Sequence, residues 1–479
     1  MKLDNLVAAL GVRLEGPEPP YGQRLSGITQ DSRQAKQAML FAALDGTHQD
    51  GLRFVGEALK AGVGAILTRA DHGLEASPVP LLISANPPRD FARAAALFFA
   101  PQPALALAVT GTNGKTSTAH FVRHLLTQAG RKALSVGTLG LLPEAAGGRL
   151  PPLTTPDPLS LHRSLHQAAL QGYDSLVVEA SSHGLDQYRL DGLLFRSAAF
   201  TNFTQDHLDY HGDMERYFAA KTRLFTELLN GPAVLPRHNP WAERIARRVA
   251  EVVWLGEGER LACQSIRPTR HGQKVVLAVD GTQISAEVPL IAAFQIDNLL
   301  TALGLCWAAG ALPDNLAEIL SSLPSVPGRM ELVAARNGKQ ALVDYAHTPD
   351  ALAVTLRQLR AHTQGRIICL FGAGGDRDQD KRPLMGQAVA AAADVGILTD
   401  DNPRSESPSR IRAAVKAGAP DSREIVPREA AIAAALSEAR PGDLVLISGK
   451  GHELGQEVMG EIQPFDDRAV TRRLAAELW

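Results

Sequence analysis

The sequence predicts an α/β protein with three domains, and three observations support this. The chain has 479 residues, which is too long for one hydrophobic core and suggests about three domains. Short apolar runs alternate with helical stretches along most of it, as in folds that alternate strands and helices. Proline-rich breaks at 101–103 and 321–328 are suited to domain boundaries. The predicted domains are 1–102, 103–326 and 327–479.

Residues 1–102 are predicted to form a small α/β domain. Apolar runs at 39–44, 65–68 and 80–84 are typical of strands, and 54–61 has helical spacing. The N-terminus has no long apolar region and no small-residue cleavage site, so it indicates a first helix rather than a signal peptide.

The second domain is predicted to begin with a strand, a glycine turn and a helix. The apolar run 104–110 is followed by Gly111-Thr-Asn-Gly-Lys-Thr-Ser117 and then by helical spacing. This order places backbone N–H groups and a lysine around one point, which suits a polyphosphate. The full P-loop pattern has a glycine where this chain has Val109, so the match is to a shortened loop. We predict an ATP site, with Lys115 on the β- and γ-phosphates and the Thr116 hydroxyl on Mg²⁺.

Two later strands of this mostly parallel sheet are predicted to end near the same loop. The run 175–178 leads to Glu179, and the run 197–200 leads to a polar segment that contains His207. Ligands collect beyond the carboxyl ends of parallel strands, and a carboxylate there suits Mg²⁺. A helix-capping role for Glu179 is the alternative. Histidine is not a preferred Mg²⁺ ligand, and Lys221, on a predicted helix, has no role on residue type alone.

The third domain is predicted to be a doubly wound sheet, with strands at 341–343, 366–371, 395–399, 424–426 and 443–448. The glycines at 372–375 lack the full GxGxxG pattern, so a dinucleotide site is not expected. Polar segments follow four of the strands, at 344–347, 376–378, 401–404 and 449–453. They could be ordinary charged loops, but four at one rim of a sheet favour a binding surface.

Composition restricts the partners and the compartment. The formal net charge is −2, which indicates no general attraction to nucleic acid or anionic lipid. Cys263, Cys306 and Cys369 lack paired spacing, which suits a reducing cytosol and argues against structural zinc. No apolar run approaches the roughly 18 residues of a membrane span. We expect a cytoplasmic monomer that acts on small molecules.

Six motifs together resemble the Mur ligase family, whose members use ATP to add amino acids to the UDP-linked muramyl peptide of cell-wall precursors. They lie at 110–116, 179–185, 206–212, 328–331, 344–349 and 401–404. The resemblance covers essentially the whole chain, in the family's domain order. It implies a UDP-precursor-binding first domain, a P-loop ATPase-like central domain and a Rossmann-like C-terminal domain. It is strongest to members that add meso-diaminopimelate to UDP-N-acetylmuramoyl-L-alanyl-D-glutamate in peptidoglycan synthesis.

The resemblance also implies roles for individual residues. The implied catalytic residues are Lys115, Glu179, His207 and Lys221. The implied Mg²⁺ ligands are Thr116, Glu179, His207 and Lys221, the last as a carbamate. The residues implied to bind ATP are Gly111, Thr112, Asn113, Gly114, Lys115, Thr116, Ser117, Asn298, Arg329 and Asp344. Those implied to bind the UDP precursor are Gln30, Ser32, His48, Gln49, Asp50, Thr154, Thr155, Ser181, Gln187 and Arg189. Those implied to bind diaminopimelate are Arg377, Asp401, Asn402, Pro403, Arg404, Gly449 and Glu453.

The implied reaction proceeds through an acyl phosphate on the D-glutamyl side chain, which the amine then attacks. We expect Arg404 to bind the extra carboxylate of diaminopimelate, because a guanidinium binds a carboxylate bidentately. Lysine would leave that arginine unpaired, at a cost of about 2 kcal/mol or more. The alternatives are the same reaction with L-lysine, a folylpolyglutamate-type ligase, a small-molecule P-loop kinase and a non-catalytic nucleotide-binding module.

Overall fold

A computed structural model describes residues 1–45, 50–74 and 76–479 of the chain. The chain separates into two compact units, Met1–Leu255 with Thr301–Asp314, and Gly256–Leu300 with Asn315–Trp479. Each unit is an alternation of strands and helices, which confirms the predicted α/β class. The finer division into three domains at 102 and 326 stays a prediction.

The first unit begins with a five-stranded sheet. Its strands are β1 (Arg13–Glu15), β2 (Ile28–Thr29), β3 (Leu40–Ala42), β4 (Ala65–Arg69) and β5 (Leu81–Ser84), in the order β1-β5-β4-β3-β2. The accompanying helices are α1 (Leu3–Leu10), α2 (Val55–Lys60) and α3 (Pro87–Phe98). Only β1 runs antiparallel to its neighbour; β2 to β5 are parallel. The residues of β3 and β5 are buried throughout, as expected for strands covered on both faces.

The same unit also contains seven strands of a second sheet. Its strands are β6 (Leu105–Thr110), β7 (Ala133–Gly137), β8 (Gly140–Leu142), β9 (Ser175–Glu179), β10 (Ser197–Phe200), β11 (Ala233–Pro236) and β12 (Val252–Leu255), in the order β12-β11-β10-β6-β9-β7-β8. All neighbours are parallel except β7 and β8. The helices are α4 (Lys115–Gln128), α5 (Pro158–Leu170), α6 (Ser182–Asp186), α7 (Leu208–His211), α8 (Met214–Arg223) and α9 (Pro240–Ala246). The ends of β6, β9 and β10 are therefore neighbours, as the sequence predicted.

The second unit carries three antiparallel strands that the sequence analysis did not predict. They are β13 (Leu261–Pro268), β14 (Gln273–Val279) and β15 (Thr282–Val288). Helix α10 (Ala293–Ala308) follows, and α11 (Leu316–Ser321) comes next. Helix α10 cannot begin before Ala293, because Ala292 adopts a positive φ of 73°, which a continuing α-helix does not allow.

A six-stranded sheet forms the rest of the second unit. Its strands are β16 (Glu331–Arg336), β17 (Lys339–Asp344), β18 (Ile367–Phe371), β19 (Val395–Leu398), β20 (Arg423–Glu424) and β21 (Leu444–Ser448), in the order β16-β17-β21-β18-β19-β20. The helices are α12 (Pro349–Leu359), α13 (Lys381–Ala392), α14 (Pro408–Lys416), α15 (Arg428–Glu438) and α16 (Asp467–Leu478). A separate hairpin pairs β22 (Gly455–Val458) with β23 (Glu461–Pro464).

Alternate residues of β18 show that this sheet is doubly wound. Ile367, Cys369 and Phe371 pack in one apolar cluster with residues of α12, α13 and α14. Ile368 and Leu370 pack in another cluster with residues of α15 and α16. Because side chains alternate along a strand, helices cover both faces of the sheet. None of the helices in the described ranges has both the length and the apolar character needed to cross a membrane.

Candidate active site

The turn between β6 and α4 is built around two glycines. Gly111 has a φ of 143° and Gly114 a φ of 88°, both in the region that favours glycine. A Cβ at Gly111 would lie 1.9 Å from Thr201 Oγ1, so only glycine fits there. Lys115 Nζ donates to the carbonyls of Gly111 at 2.9 Å and Thr112 at 2.7 Å. The lysine therefore lies over the turn, and Ser117 is buried in the first turns of α4.

The segment after β10 holds this turn in place. The backbone N–H of Asn113 donates to Asn202 Oδ1 at 2.9 Å, and Thr201 Oγ1 donates to the Asn113 carbonyl at 2.6 Å. Thr112 Oγ1 accepts from the N–H of Thr204 at 3.1 Å. Side chains that are about 90 residues away thus determine the shape of the glycine turn.

Glu179 lies at the end of β9, buried and next to the turn. Its Oε2 accepts from Thr116 Oγ1 at 2.9 Å and from Thr138 Oγ1 at 3.0 Å. Its Oε1 accepts from the backbone N–H of Thr138 at 2.9 Å. A Cβ at Gly137 would lie 2.0 Å from Oε1, so this glycine makes room for the carboxylate. The sequence analysis missed Gly137, the last residue of β7, and Thr138, which directly follows it.

Lys221 enters the same region from α8, although its side chain is only 1% exposed. Its Nζ donates to the Gly111 carbonyl at 2.8 Å and lies 4.5 Å from the centroid of the Tyr217 ring. Burial, reinforced by the positive charge of Lys115, brings the pKa of Lys221 well below its usual value. The surroundings of Lys221 thus favour loss of its proton more than water does.

His207 lies at the edge of this region, half exposed and with a positive φ of 52°. Its ring lies 4.9 Å from the ring of His183 and 6.1 Å from that of Tyr217, between centroids. His183 also packs against His211, at 5.5 Å. Within the described residues, no three His, Cys, Asp or Glu side chains are grouped so that they could hold a metal ion. The predicted ligand set differs from such a group because it also uses a hydroxyl and a modified lysine.

A hydrogen-bonded network adjoins Glu179 and unites several predicted substrate residues. Thr155 Oγ1 donates to the Glu179 carbonyl at 2.8 Å and accepts from Ser181 Oγ at 2.9 Å. Arg189 Nη1 donates to the Thr155 carbonyl at 2.7 Å, and its Nη2 donates to Gln187 Oε1 at 2.6 Å. Thr154 Oγ1 lies 3.1 Å from Thr138 Oγ1. The structure therefore brings Thr154, Thr155, Ser181, Gln187 and Arg189 together beside Glu179.

The predicted residues of the first sheet have more scattered contacts. Gln30 is exposed, and Ser32 Oγ donates to Glu57 Oε2 at 2.7 Å. Asp50 accepts from the N–H of Leu52 and from Arg69 Nη2, each at 2.9 Å. His48 and Gln49 lie outside the described residues. Arg69, which the sequence analysis missed, also pairs with Asp45.

In the second unit, Asn298, Arg329 and Asp344 lie in one chain of contacts. Asn298 Nδ2 donates to Gln295 Oε1 at 2.9 Å, and Gln295 Nε2 donates to the Arg329 carbonyl at 3.2 Å. Asp344 accepts from the N–H of Met330 at 2.7 Å. Burial raises the pKa of Asp344, and the nearby Arg329 opposes that rise.

The rim of the six-stranded sheet brings Asn402, Arg404 and Glu453 together. Arg404 Nη1 donates to the Gly375 carbonyl at 2.8 Å, and Asn402 Nδ2 donates to Glu453 Oε2 at 2.8 Å. Gly374 lies close to both arginines, because a Cβ there would be 2.9 Å from Arg404 Nη1 and 4.0 Å from Cγ of the exposed Arg377. The buried Asp401 and Pro403 flank Asn402. A Cβ at Gly449 would lie 2.2 Å from Asp401 Oδ2.

Lys450 and Glu457 at this rim were not predicted. Lys450 is fully buried, and its Nζ donates to Asn402 Oδ1 at 2.9 Å and to Glu453 Oε2 at 3.2 Å. Glu457, on the hairpin, pairs with Arg404 Nε at 3.2 Å. The polar segment 449–453 was a signal for Lys450, but no feature of the sequence indicates Glu457.

The buried Arg428 links two segments of the same rim. It is fully buried and forms an ion pair with Asp467, Nη2 to Oδ2, at 2.7 Å. It also donates to the carbonyl of Asp400 at 3.1 Å and that of Ser448 at 2.9 Å. Those carbonyls directly precede Asp401 and Gly449. One guanidinium therefore joins two of the polar segments.

Comparisons with known proteins support one family. Residues 109–306 match the Mur ligase middle domain, and residues 328–451 match the Mur ligase glutamate ligase domain. The UDP-N-acetylmuramoyl-L-alanyl-D-glutamate–2,6-diaminopimelate ligase of Caulobacter vibrioides is 46% identical, over 93% of this chain and 94% of the relative. The enzyme of the same name from Bradyrhizobium diazoefficiens is 45% identical, over 95% of this chain and 96% of the relative.

A solved structure supports the same assignment over the whole length. A structure of a UDP-N-acetylmuramoyl-L-alanyl-D-glutamate–2,6-diaminopimelate ligase superimposes with a TM-score of 0.73 at 30% identity. It covers 100% of this chain and 99% of its own. Because both family domains and near full-length relatives match, this chain belongs to the Mur ligase family.

Proposed function

We propose that this chain is an ATP-dependent ligase that joins meso-diaminopimelate to UDP-N-acetylmuramoyl-L-alanyl-D-glutamate during peptidoglycan precursor synthesis. One observation carries the proposal: Lys115 and Lys221 donate to the same Gly111 carbonyl, while Thr116 contacts the buried Glu179 at 2.9 Å. Phosphoryl transfer depends on a positioned cation, which Lys115 would supply, and on oxygen ligands for a metal ion, which Thr116 and Glu179 would supply. The substrates are inferred from relatives at 45–46% identity, which are named for them.

The reaction that we propose has two chemical steps. An oxygen of the D-glutamyl side-chain carboxylate attacks the γ-phosphorus of ATP, the bond to the β-phosphate oxygen breaks, and ADP leaves. The amine nitrogen then attacks the carbonyl carbon of the acyl phosphate, loses a proton, and displaces phosphate. The first step is needed because a carboxylate oxygen is a poor leaving group, whereas phosphate is a good one.

The residues around Glu179 fit a magnesium ion. Its carboxylate and the Thr116 hydroxyl are oxygen donors, which Mg²⁺ prefers. An uncharged Lys221 amine can react with CO₂, lose a proton and form a carbamate, which adds an anionic oxygen donor. We propose that Thr116, Glu179, His207 and carbamylated Lys221 hold the metal. Bound there, Mg²⁺ would neutralise charge on the transferring phosphoryl group.

The remaining predicted residues are proposed to bind substrates. Lys115 would contact the ATP phosphates together with the backbone of 111–117, and Asn298, Arg329 and Asp344 would contribute to nucleotide binding. The network of Thr154, Thr155, Ser181, Gln187 and Arg189 would position the muramyl dipeptide beside Glu179. Gln30, Ser32 and 48–50 are proposed for the UDP end. The monomeric state, the cytoplasmic location and the lack of nucleic-acid partners stay predictions.

We propose that the rim of the six-stranded sheet selects the amino acid. Arg404 would bind the distal carboxylate of diaminopimelate, with Arg377 near the other charged end. Asp401, Asn402, Pro403, Gly449 and Glu453 would complete the pocket. Lysine lacks the distal carboxylate, so it would leave the guanidinium without its partner.

The test is phosphate release from ATP in the presence of the UDP-muramyl dipeptide, with diaminopimelate or lysine added separately. We expect release to depend on diaminopimelate, and mass spectrometry to find the tripeptide product. Release without an amine would indicate a kinase, and preference for lysine would contradict the role of Arg404. Activity only with a folate acceptor and glutamate would indicate a folylpolyglutamate-type ligase, and no release would indicate a binding module.

A further inference from the structure

We propose that His120, Arg123 and His124 of helix α4 form a further anion site, which binds the phosphate group of a small molecule. The three side chains are spaced i, i+3 and i+4, so they project from one face of the helix. This face differs from the one that carries the fully buried Val122 and Leu126. The inference does not depend on the proposed substrates of the enzyme.

Four polar atoms of these side chains are buried and have no hydrogen-bond partner among the residues that the structure describes. They are Nδ1 and Nε2 of His120, Nε of Arg123 and Nε2 of His124. His120 as a whole is only 7% exposed. Burying polar atoms without partners costs free energy, which a ligand with several acceptor atoms would return. A guanidinium and a protonated imidazole have only donors, so the matching ligand is an acceptor of hydrogen bonds.

The charges around these side chains favour an anion. Burial, and then the charges of Arg123 and His124, lower the pKa of His120 to about 4. Burial, followed by the charge of Arg123, also lowers the pKa of His124. Burial lowers the pKa of Arg123, and the Tyr173 phenol opposes this. Among the described residues that act on these three pKa values, that phenol is the one acidic group, and an unperturbed phenol is neutral at pH 7.

A phosphate group suits this arrangement better than a carboxylate. Its oxygens point in tetrahedral directions, so each of the three side chains can donate to a different oxygen. A carboxylate has two oxygens in one plane, and arginine is frequent where phosphate is recognised. A bound anion would also raise the pKa of both imidazoles, because a nearby negative charge favours the protonated form.

The position on α4 connects this site with the glycine turn. His120 lies one helical turn beyond Thr116, on the helix that begins at Lys115. A ligand held by this part of α4 would therefore act on the helix that carries the proposed nucleotide site. Two sources of the phosphate group are considered, inorganic phosphate and a phosphate ester.

The experiment follows the imidazole Cε1 resonances of His120 and His124 by NMR while inorganic phosphate is added. Mg²⁺ and a non-hydrolysable ATP analogue are present throughout, so that phosphate cannot compete at 111–117. The variants His120→Gln and His124→Gln assign the two signals. We expect both signals to shift saturably, and the pKa of His120 to rise from about 4 towards its ordinary value of 6.5.

Substitution of the arginine tests the site independently of the histidines. Arg123→Gln should weaken phosphate binding by about tenfold, because a charged hydrogen bond is lost. Arg123 is partly exposed, so we expect this variant to fold. Arg163→Gln, at an exposed arginine of α5, removes the same charge elsewhere and should keep the wild-type affinity.

Three results would overturn the inference: no saturable shift at His120, an equal response to acetate or chloride, or an equal loss of affinity in Arg123→Gln and Arg163→Gln. A parallel titration with glycerol phosphate identifies the source. Tighter binding of the ester would support a phosphorylated metabolite, and tighter binding of inorganic phosphate would support the free ion. The resonances report binding directly, so failure of the proposed ligase activity would not be mistaken for failure of this site.

Discussion

Lys221 and Arg428 are both buried basic side chains, but their surroundings differ. Lys221 contacts a carbonyl and an aromatic ring, and burial lowers its pKa strongly. Burial lowers the pKa of Arg428 too, but the carboxylates of Asp467, Asp401 and Glu453 together more than offset this, so the pKa of Arg428 is raised. The comparison shows that the charged groups next to a buried base, more than burial itself, determine the direction in which its pKa shifts. Burial favours loss of the Lys221 proton although Asp206 opposes this, whereas the contact with Asp467 keeps the Arg428 guanidinium charged and held in place.

The largest effect is expected for Lys221→Ala. Turnover should fall by about a thousandfold, because an oxygen ligand for the metal can no longer form. A short-chain carboxylate in solution should restore part of the activity. The measurement is the rate of phosphate release with all substrates present. Lys132→Ala, at an exposed lysine, is the control. Wild-type activity in Lys221→Ala would show that Lys221, like Arg428, has no role in turnover.

The second-largest effect is expected for the ion pair between Arg428 and Asp467. Arg428→Met or Asp467→Asn should lower the free energy of unfolding by about 3–5 kcal/mol, because each leaves a buried charge or polar group uncompensated. Urea denaturation followed by circular dichroism measures this. The double variant Arg428→Met with Asp467→Asn should lose less than the sum of the two single changes.

A matched control for this test lies between the same two helices. Arg473 and Glu429 also join α16 to α15, but both are about half exposed. Because exposed ion pairs contribute little, Arg473→Ala should leave the urea midpoint unchanged. If Arg428→Met also left the urea midpoint unchanged, Arg428 would not stabilise the fold.

A third prediction concerns Arg404, a base that is partly exposed. Its ion pair with Glu457 still leaves donors for a ligand, so it should act on binding rather than on folding. Arg404→Ala should raise KM for diaminopimelate by about 30-fold and change KM for ATP little. Steady-state kinetics with each substrate varied in turn would check this. Equal effects on the two KM values would place Arg404 outside the amino-acid pocket.

The smallest effect is expected for His162, a buried base that resembles Lys221 in lacking a carboxylate partner. It contacts Gln102 Oε1 and the Asp191 carbonyl, and burial lowers its pKa to about 4. The unfolded chain binds a proton near pH 6.5, so stability falls as the pH drops from 6.5 towards 4. The contribution is about 2 kcal/mol between pH 8 and pH 5.

This pH dependence can be assigned to His162 by substitution. In His162→Gln the difference in unfolding free energy between pH 8 and pH 5 should shrink by about 2 kcal/mol, while the contributions of His120, His207 and His452, whose pKa values burial also lowers, remain. His166→Gln, at a partly exposed histidine one turn further along the same helix, should keep the wild-type dependence. If His162→Gln retained the full difference, the buried imidazole would not be its source.

The sequence predicted the strand, turn and helix around Lys115 well, because glycine, lysine and threonine at a helix start form a local pattern. It also placed Glu179 correctly at a strand end, because buried parallel strands are continuous apolar runs. It missed the antiparallel strands within 261–288, of which β13 and β15 alternate weakly between buried and exposed residues. It could not find the pairing of Arg428 with Asp467 or of Arg404 with Glu457. Those partners are 39 and 53 positions apart, and their meeting depends on tertiary packing.

The proposed chemistry is tested most directly by following an isotope. The D-glutamyl side-chain carboxylate of the UDP-muramyl dipeptide is labelled with ¹⁸O, and the phosphate released during ligation of diaminopimelate is analysed by mass spectrometry. Attack of the carboxylate on ATP, followed by loss of phosphate from the acyl carbon, predicts that one labelled oxygen appears in each phosphate released. Phosphate without the label, formed while the amide product accumulates, would contradict the acyl-phosphate route.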